Sequence, residues 1–128
     1  MAELAFIDKV AERAGVPEDT ARRLTEGTLL TLAARISGGE AEDLAERVPD
    51  QLRPYLIKLV EPAAPFSYGE FVRRVAEYAG VDGLTAEQGV AAVFSALHET
   101  VGHKEFSDAM AQLPKEFDQL VATASAAR

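Results

Sequence analysis

Hydrophobic positions recur at three- and four-residue intervals along almost the whole chain, and nowhere alternate for more than a few residues as a half-buried strand would require. Near the start, Phe6, Ile7, Val10, Ala11 and Ala14 share one stripe of a helix running from about Leu4 to Ala14, and Gly15 predicts the left-handed cap that ends it. A long second helix starts near Pro17, suited to the first helical position, and reaches Ile36 with Leu24, Thr28, Leu32 and Ile36 in line. Ser37-Gly38-Gly39-Glu40 has the form of a capping box and predicts a third helix with Ala41, Leu44, Ala45 and Val48 inward. Pro49 then breaks the chain ahead of a fourth helix whose inward residues are Leu52, Tyr55, Leu56 and Leu59.

The same series returns at an offset of 65 positions, with 13 identities among the 51 ungapped pairs from Phe6/Phe71 to Leu56/Val121. Phe71, Val72, Val75, Ala76, Ala79 and Gly80 repeat the first stripe, behind a second capping box, Ser67-Tyr68-Gly69-Glu70. Thr85-Ala86-Glu87-Gln88 reads as a third box, opening a long helix that buries Val90, Val93, Phe94, Leu97 and Val101. Phe106, Ala109, Met110 and Leu113 follow inward, then Phe117, Leu120, Val121 and Ala124 behind Pro114. The expected fold is all-α: about eight helices in one domain over residues 1–128, as two four-helix repeats (4–60 and 67–124) joined by a proline-rich connector at 61–66. A four-helix unit of about 60 residues is marginal alone, so the halves are expected to share one core about an approximate two-fold axis. Gly27 and Gly89 lie inside the long helices, either as small residues that let those helices cross closely or as tolerated surface positions.

Composition narrows the chemistry. The chain has 128 residues and no cysteine, which excludes a disulfide framework, a thiolate zinc site and a cysteine nucleophile. Thirteen basic residues face 21 acidic ones, a net charge of -8 shared equally between the halves. Such a field repels nucleic acid and anionic lipid, and no apolar run approaches membrane-spanning length, so a cytoplasmic location is expected, with neither nucleic acid nor membrane as partner.

The two histidines, His98 and His103, stand five apart with Gly102 between them and Glu99, Glu105 and Asp108 nearby. Ligands on one helix face recur at three or four, so this spacing points to a solvated His98 and a loop or capping His103 rather than to a metal site. The acidic pairs held at the offset, Glu12/Glu77, Glu40/Glu105 and Asp43/Asp108, each have a structural use: Glu40 in its capping box, the aspartates in early helical turns, and Glu12 beside Lys9 and Arg13. No phosphate loop, dinucleotide fingerprint or nucleophile elbow is present. The stretch from Ala11 to Leu24, with Arg22 and Arg23, resembles a helix-turn-helix, but Glu87 and Gln88 occupy the matching positions of the second half, which is wrong for phosphate contact. No catalytic residue, cofactor or metal is assigned.

The repeated F-[IV]-x-x-V-A-E-x-A-G-V opening, the segment Ile36 to Leu44, and Val48-Pro49-Asp50-Gln51-Leu52 echoed by Leu113-Pro114-Lys115-Glu116-Phe117 together resemble the bacterial family known as domain of unknown function 2267. The resemblance spans about residues 4 to 122 and implies a duplicated helical domain with no assigned reaction, hence no site residues to carry over. The expected function is a non-enzymatic protein-interaction module, a monomer or weak homodimer with an unidentified protein partner. The alternative is a binding protein for a small apolar or amphipathic ligand held between the halves, with Phe94, Phe106, Met110 and Phe117 as candidate lining.

Overall fold

A computed structural model describes residues 2–57 and 65–126, with side chains described as far as Ala122. Among these residues the chain forms seven α-helices, two 3-10 segments and no strand. The α-helices are α1 (Ala2–Ala14), α2 (Glu18–Arg35), α3 (Gly38–Ala45), α4 (Tyr68–Ala79), α5 (Gly83–Val101), α6 (His103–Met110) and α7 (Asp118–Ala126). A 3-10 helix, Asp50–Leu56, follows α3, and a single 3-10 turn, Lys115–Phe117, leads into α7. Leu59, connector residues 61–64 and the side chain of Ala124 lie outside the described residues.

The stripes read from the sequence face the core, with Ala11, Tyr55, Ala76, Leu113, Leu120 and Val121 only partly buried at its edge. Phe6, Ile7, Val10 and Ala14 of α1 and Phe71, Val72, Val75 and Ala79 of α4 point into the core. Both helices end at glycines in the left-handed region, φ 69° at Gly15 and 70° at Gly80, where a side chain would be strained. Leu24, Thr28, Leu32 and Ile36 are buried on the α2 side, Val90, Val93, Phe94, Leu97 and Val101 on the α5 side.

Three local expectations are corrected. The long second helix opens one residue later than read, with Pro17 as an extended cap. α5 starts at Gly83, capped by Asp82, whose carboxylate accepts the Thr85 amide at 2.8 Å. Thr85 is therefore the third helical residue and not a cap: its own amide is one of the free amides of the first turn, and Asp82 satisfies it. The fourth helix of the first half is 3-10 rather than α; Pro54 within it disfavours an α-helix, in which its ring would clash with the carbonyl of Asp50 four residues earlier. The Ser67 cap stands, accepting the Glu70 amide at 3.2 Å, but it is not reciprocal. The Glu70 carboxylate instead binds Arg73 and Arg74, which hold its pKa down at about 2.

Packing interlocks the halves. α1 lies against both α2 and α5, α4 against both α5 and α2, and α2 against α5; α3 packs on α6. Moving the bounds of α3 by 65 positions gives those of α6, and the same shift takes α2 onto residues 83–100 of α5. One continuous apolar cluster runs through both halves, including Phe71, Phe94, Phe106 and Phe117. Polar clasps close the edges: Arg13 donates to Ser95 Oγ at 2.8 Å and to Glu99 at 2.6 Å, and Arg23 Nε donates to the last carbonyl of α4, Ala79 O, at 3.0 Å. Both glycines inside the long helices are buried at contacts. A Cβ on Gly89 would meet Leu24 of α2, and one on Gly27 would meet the Tyr78 ring of α4. No helix of the described residues is long and apolar enough to cross a membrane.

Candidate functional site

The four residues expected to line a pocket belong mostly to the packed core. Phe94, Phe106 and Phe117 are fully buried; Phe94 meets Phe106 edge-on at 6.2 Å between ring centroids, whereas Phe117 packs edge-on against Phe71 at 5.2 Å. Met110 borders a shallow surface depression of about 310 Å³ with Ser107, Ala111, Asp118 and Val121.

The histidines lie closer together than their spacing implied. Gly102, at φ 93°, turns the chain sharply between α5 and α6, and His98 Nε2 and His103 Nδ1 come within 3.2 Å. The outer nitrogen of His103 is 3.3 Å from Ser107 Oγ, and the His98 ring sits edge-on to Phe106 at 4.9 Å. His98 is thus a half-buried residue propped on the core, not a solvated one, and His103 opens α6. The five-residue interval misleads because it spans a corner and not one continuous helix face.

Where α3 packs on α6, the carboxylates of Glu40, Asp43 and Glu105 gather within 4.8 Å of one another. Arg47 lies 3.6 Å from Glu105, and Lys104 pairs with Asp108 at 2.9 Å, so part of this charge is neutralised in place. Burial pushes the Glu40 carboxyl above its usual range, and repulsion from Asp108, Asp43 and Glu105 pushes it further. The role expected of Glu40 in a capping box is half realised. Ser37 Oγ accepts the Glu40 amide at 3.3 Å, but the Ser37 amide donates to Gln112 Oε1 at 2.7 Å, leaving Glu40 Oε1 buried without a partner.

An exposed groove with an apolar centre lies elsewhere, between α5 and α7. Leu84, Glu87, Gln88 and Ala91 form one outward stripe of α5 at positions i, i+3, i+4 and i+7, facing Glu116 and Leu120 across a groove of about 450 Å³. Leu84 is 65% exposed, more than any other large hydrophobic residue described. Tyr68 closes one end, its ring edge-on to Phe117 at 5.0 Å and its hydroxyl donating to Glu87 at 2.8 Å. Burial and then the Glu87 carboxylate push the Tyr68 phenol up to about 12.

The positions 65 residues earlier look quite different. Leu84, Glu87, Gln88 and Ala91 correspond to Asp19, Arg22, Arg23 and Glu26, while Tyr68 and Leu120 correspond to Glu3 and Tyr55. There Arg22 pairs with Glu3, Arg23 lies 3.8 Å from Asp19, and Tyr55 donates to Glu26 Oε2 at 3.1 Å. The Tyr68–Glu87 bond keeps the polar link made by Glu3 and Arg22 in the first half, but Leu84, Ala91 and Leu120 stand where the first half has the polar Asp19, Glu26 and Tyr55.

A comparison with curated proteins finds no match. A family described as "Uncharacterized conserved protein (DUF2267)" matches residues 4–120, the segment that holds α1 to α6, the core and nearly all of the α5/α7 groove. The chain is a member of that family.

Proposed function

We propose that the protein is a non-enzymatic protein-interaction module whose working surface is the α5/α7 groove. The observation that carries this reading is the contrast between matched positions. Asp19 pairs with Arg23 within α2 and Glu26 accepts from Tyr55, while Leu84 and Ala91, at the same places in the second half, line an open groove. An isolated exposed leucine is ordinary; a stripe of helical spacing that borders a groove with Leu120 opposite is a surface that gains by being covered. The acids and imidazoles that cluster elsewhere lie where α3 packs on α6 and at the corner between α5 and α6 rather than converging on that groove. The same reading includes a duplicated ancestry for the two halves, supported by the matched element bounds, and a bacterial, cytoplasmic setting, supported by the family resemblance and the acidic composition.

Native mass spectrometry of the protein recovered gently from its host tests this. A retained partner chain is expected. A bare 13.7 kDa monomer, or an added mass typical of a small molecule, counts against the interaction module, and the small-molecule result favours ligand binding.

A further inference from the structure

We infer that the occupant of the α5/α7 groove is a cationic amphipathic helix of a partner protein; this rests on the interaction-module reading above and specifies its partner. Geometry selects a helix. The groove is walled by helices whose backbone groups bond internally, so it offers no open strand edge for an extended peptide to join. Leu84 to Ala91 extends along two turns of α5, about 10 Å of axis at the usual rise, which matches apolar residues at i, i+3, i+4 and i+7 of an incoming helix laid alongside.

Charge selects the sign. Glu87 on one wall and Glu116 on the other flank the apolar centre, and both accept hydrogen bonds from neutral donors of Tyr68: its hydroxyl at 2.8 Å and its amide at 3.4 Å. Their charges therefore remain to attract lysine or arginine at the edges of an incoming apolar face, within a chain already at -8. The same charges disfavour a second copy of this chain docking face to face, since a two-fold contact through the groove sets the acidic rims of the two copies, each with Glu87 and Glu116, against each other. Gln88 on the rim supplies a neutral hydrogen-bonding group that suits the polar flank of such a helix.

The test uses the full chain and two synthetic helical peptides with the same leucine face, one with a lysine polar face and one with a glutamate polar face. Backbone amide shifts locate binding, and titrations give affinities at low and physiological salt. The cationic peptide is expected to shift Leu84, Ala91 and Leu120 selectively. Glu87→Lys with Glu116→Lys is expected to weaken it by about tenfold or more and to favour the anionic peptide instead. Glu87→Gln with Glu116→Gln, a milder change, is expected to fall between, and unchanged amide shifts outside the groove report that the variants are folded. Equal binding of both peptides, or indifference to the charge reversal, overturns the cationic assignment while leaving the groove as an interaction site. If neither peptide shifts the groove although native mass spectrometry retains a partner chain, the helical occupant is wrong and the interaction module stands. If neither peptide binds and no partner is retained, both readings fall.

Discussion

Replacing Gly89 with alanine sets two effects of similar size against each other, and the structure decides between them. Alanine for glycine inside a helix stabilises by about 1 kcal/mol. A Cβ at Gly89, however, would lie 2.6 Å from Cδ2, 2.8 Å from Cδ1 and 3.0 Å from Cγ of Leu24. Leu24 is fully buried and cannot swing into solvent, so the overlap is relieved only by moving core atoms, a class of change that costs about 1–3 kcal/mol. The net expectation is a loss of about 1 kcal/mol, the middle of that range less the helical gain. Gly27→Ala is the control. Its Cβ would meet Tyr78 Cδ1, Cβ and Cγ at 3.1, 3.2 and 3.3 Å, a milder overlap that a shift of a few tenths of an ångström relieves, so the variant is expected within about 1 kcal/mol of the parent and more stable than Gly89→Ala. Urea unfolding followed by far-ultraviolet circular dichroism resolves these differences. In a Leu24→Ala background the clash at Gly89 disappears, so Gly89→Ala should turn stabilising there, with a coupling of about 2 kcal/mol between the two sites. Equal stabilisation by Gly27→Ala and Gly89→Ala, with no coupling to Leu24, would refute the close crossing of α2 and α5.

Two glutamates should show opposite pH dependence. The Glu40 carboxyl lies above its ordinary value of 4.5 in the folded chain, so folding is favoured as pH falls through its range; Glu40→Gln should stabilise at neutral pH and lose that advantage in acid. Burial would raise Glu99 too, but hydrogen bonds from Arg13 and Lys9 outweigh it and hold the carboxyl low. Its stabilisation is therefore present above the ordinary carboxylate range and lost as pH falls below it, and Glu99→Gln should destabilise at neutral pH and converge with the parent in acid. Denaturant midpoints across that pH range check both signs. Gly80→Ala should cost about 1 kcal/mol in the same assay despite open space around it, because its φ of 70° strains any side chain. Leu84→Ser, at a position 65% exposed, should change stability by less than about 0.5 kcal/mol while reducing binding to the cationic peptide.

Periodicity carried most of the fold. The stripes of α1, α2, α4 and α5 were legible because each long helix buries a face of helical spacing, and glycine at Gly15 and Gly80 marked ends that only left-handed backbone makes. Caps were less legible. Asp82 and Thr85 both offer a suitable oxygen, and which one caps α5 depends on where the preceding turn delivers the chain. Apolar spacing alone does not separate a 3-10 from an α-helix over residues 50–56, whereas Pro54 disfavours the α form. The meeting of His98 and His103 depends on the Gly102 corner, which a fixed spacing rule ignores.

The groove was recorded in the alignment of the halves, where Asp19 becomes Leu84 and Glu26 becomes Ala91. A change from charged to apolar at an outward helical position is a surface signal, yet a search for identities passes over it. The crossing partners Leu24 and Gly89 are themselves 65 positions apart. Two bulky residues at that contact would collide, so one large and one small residue occupy it.

Site-specific photo-crosslinking in the host most directly tests whether the α5/α7 groove is the working surface. One full-length variant carries the photoreactive residue at Leu84 and the other at Asp19, the matched position on the first-half surface. Crosslinking to a discrete protein partner from position 84 but not from position 19, suppressed by Glu87→Lys with Glu116→Lys, is the expected result. Equal crosslinking from both positions, or a partner captured only from position 19, would contradict it.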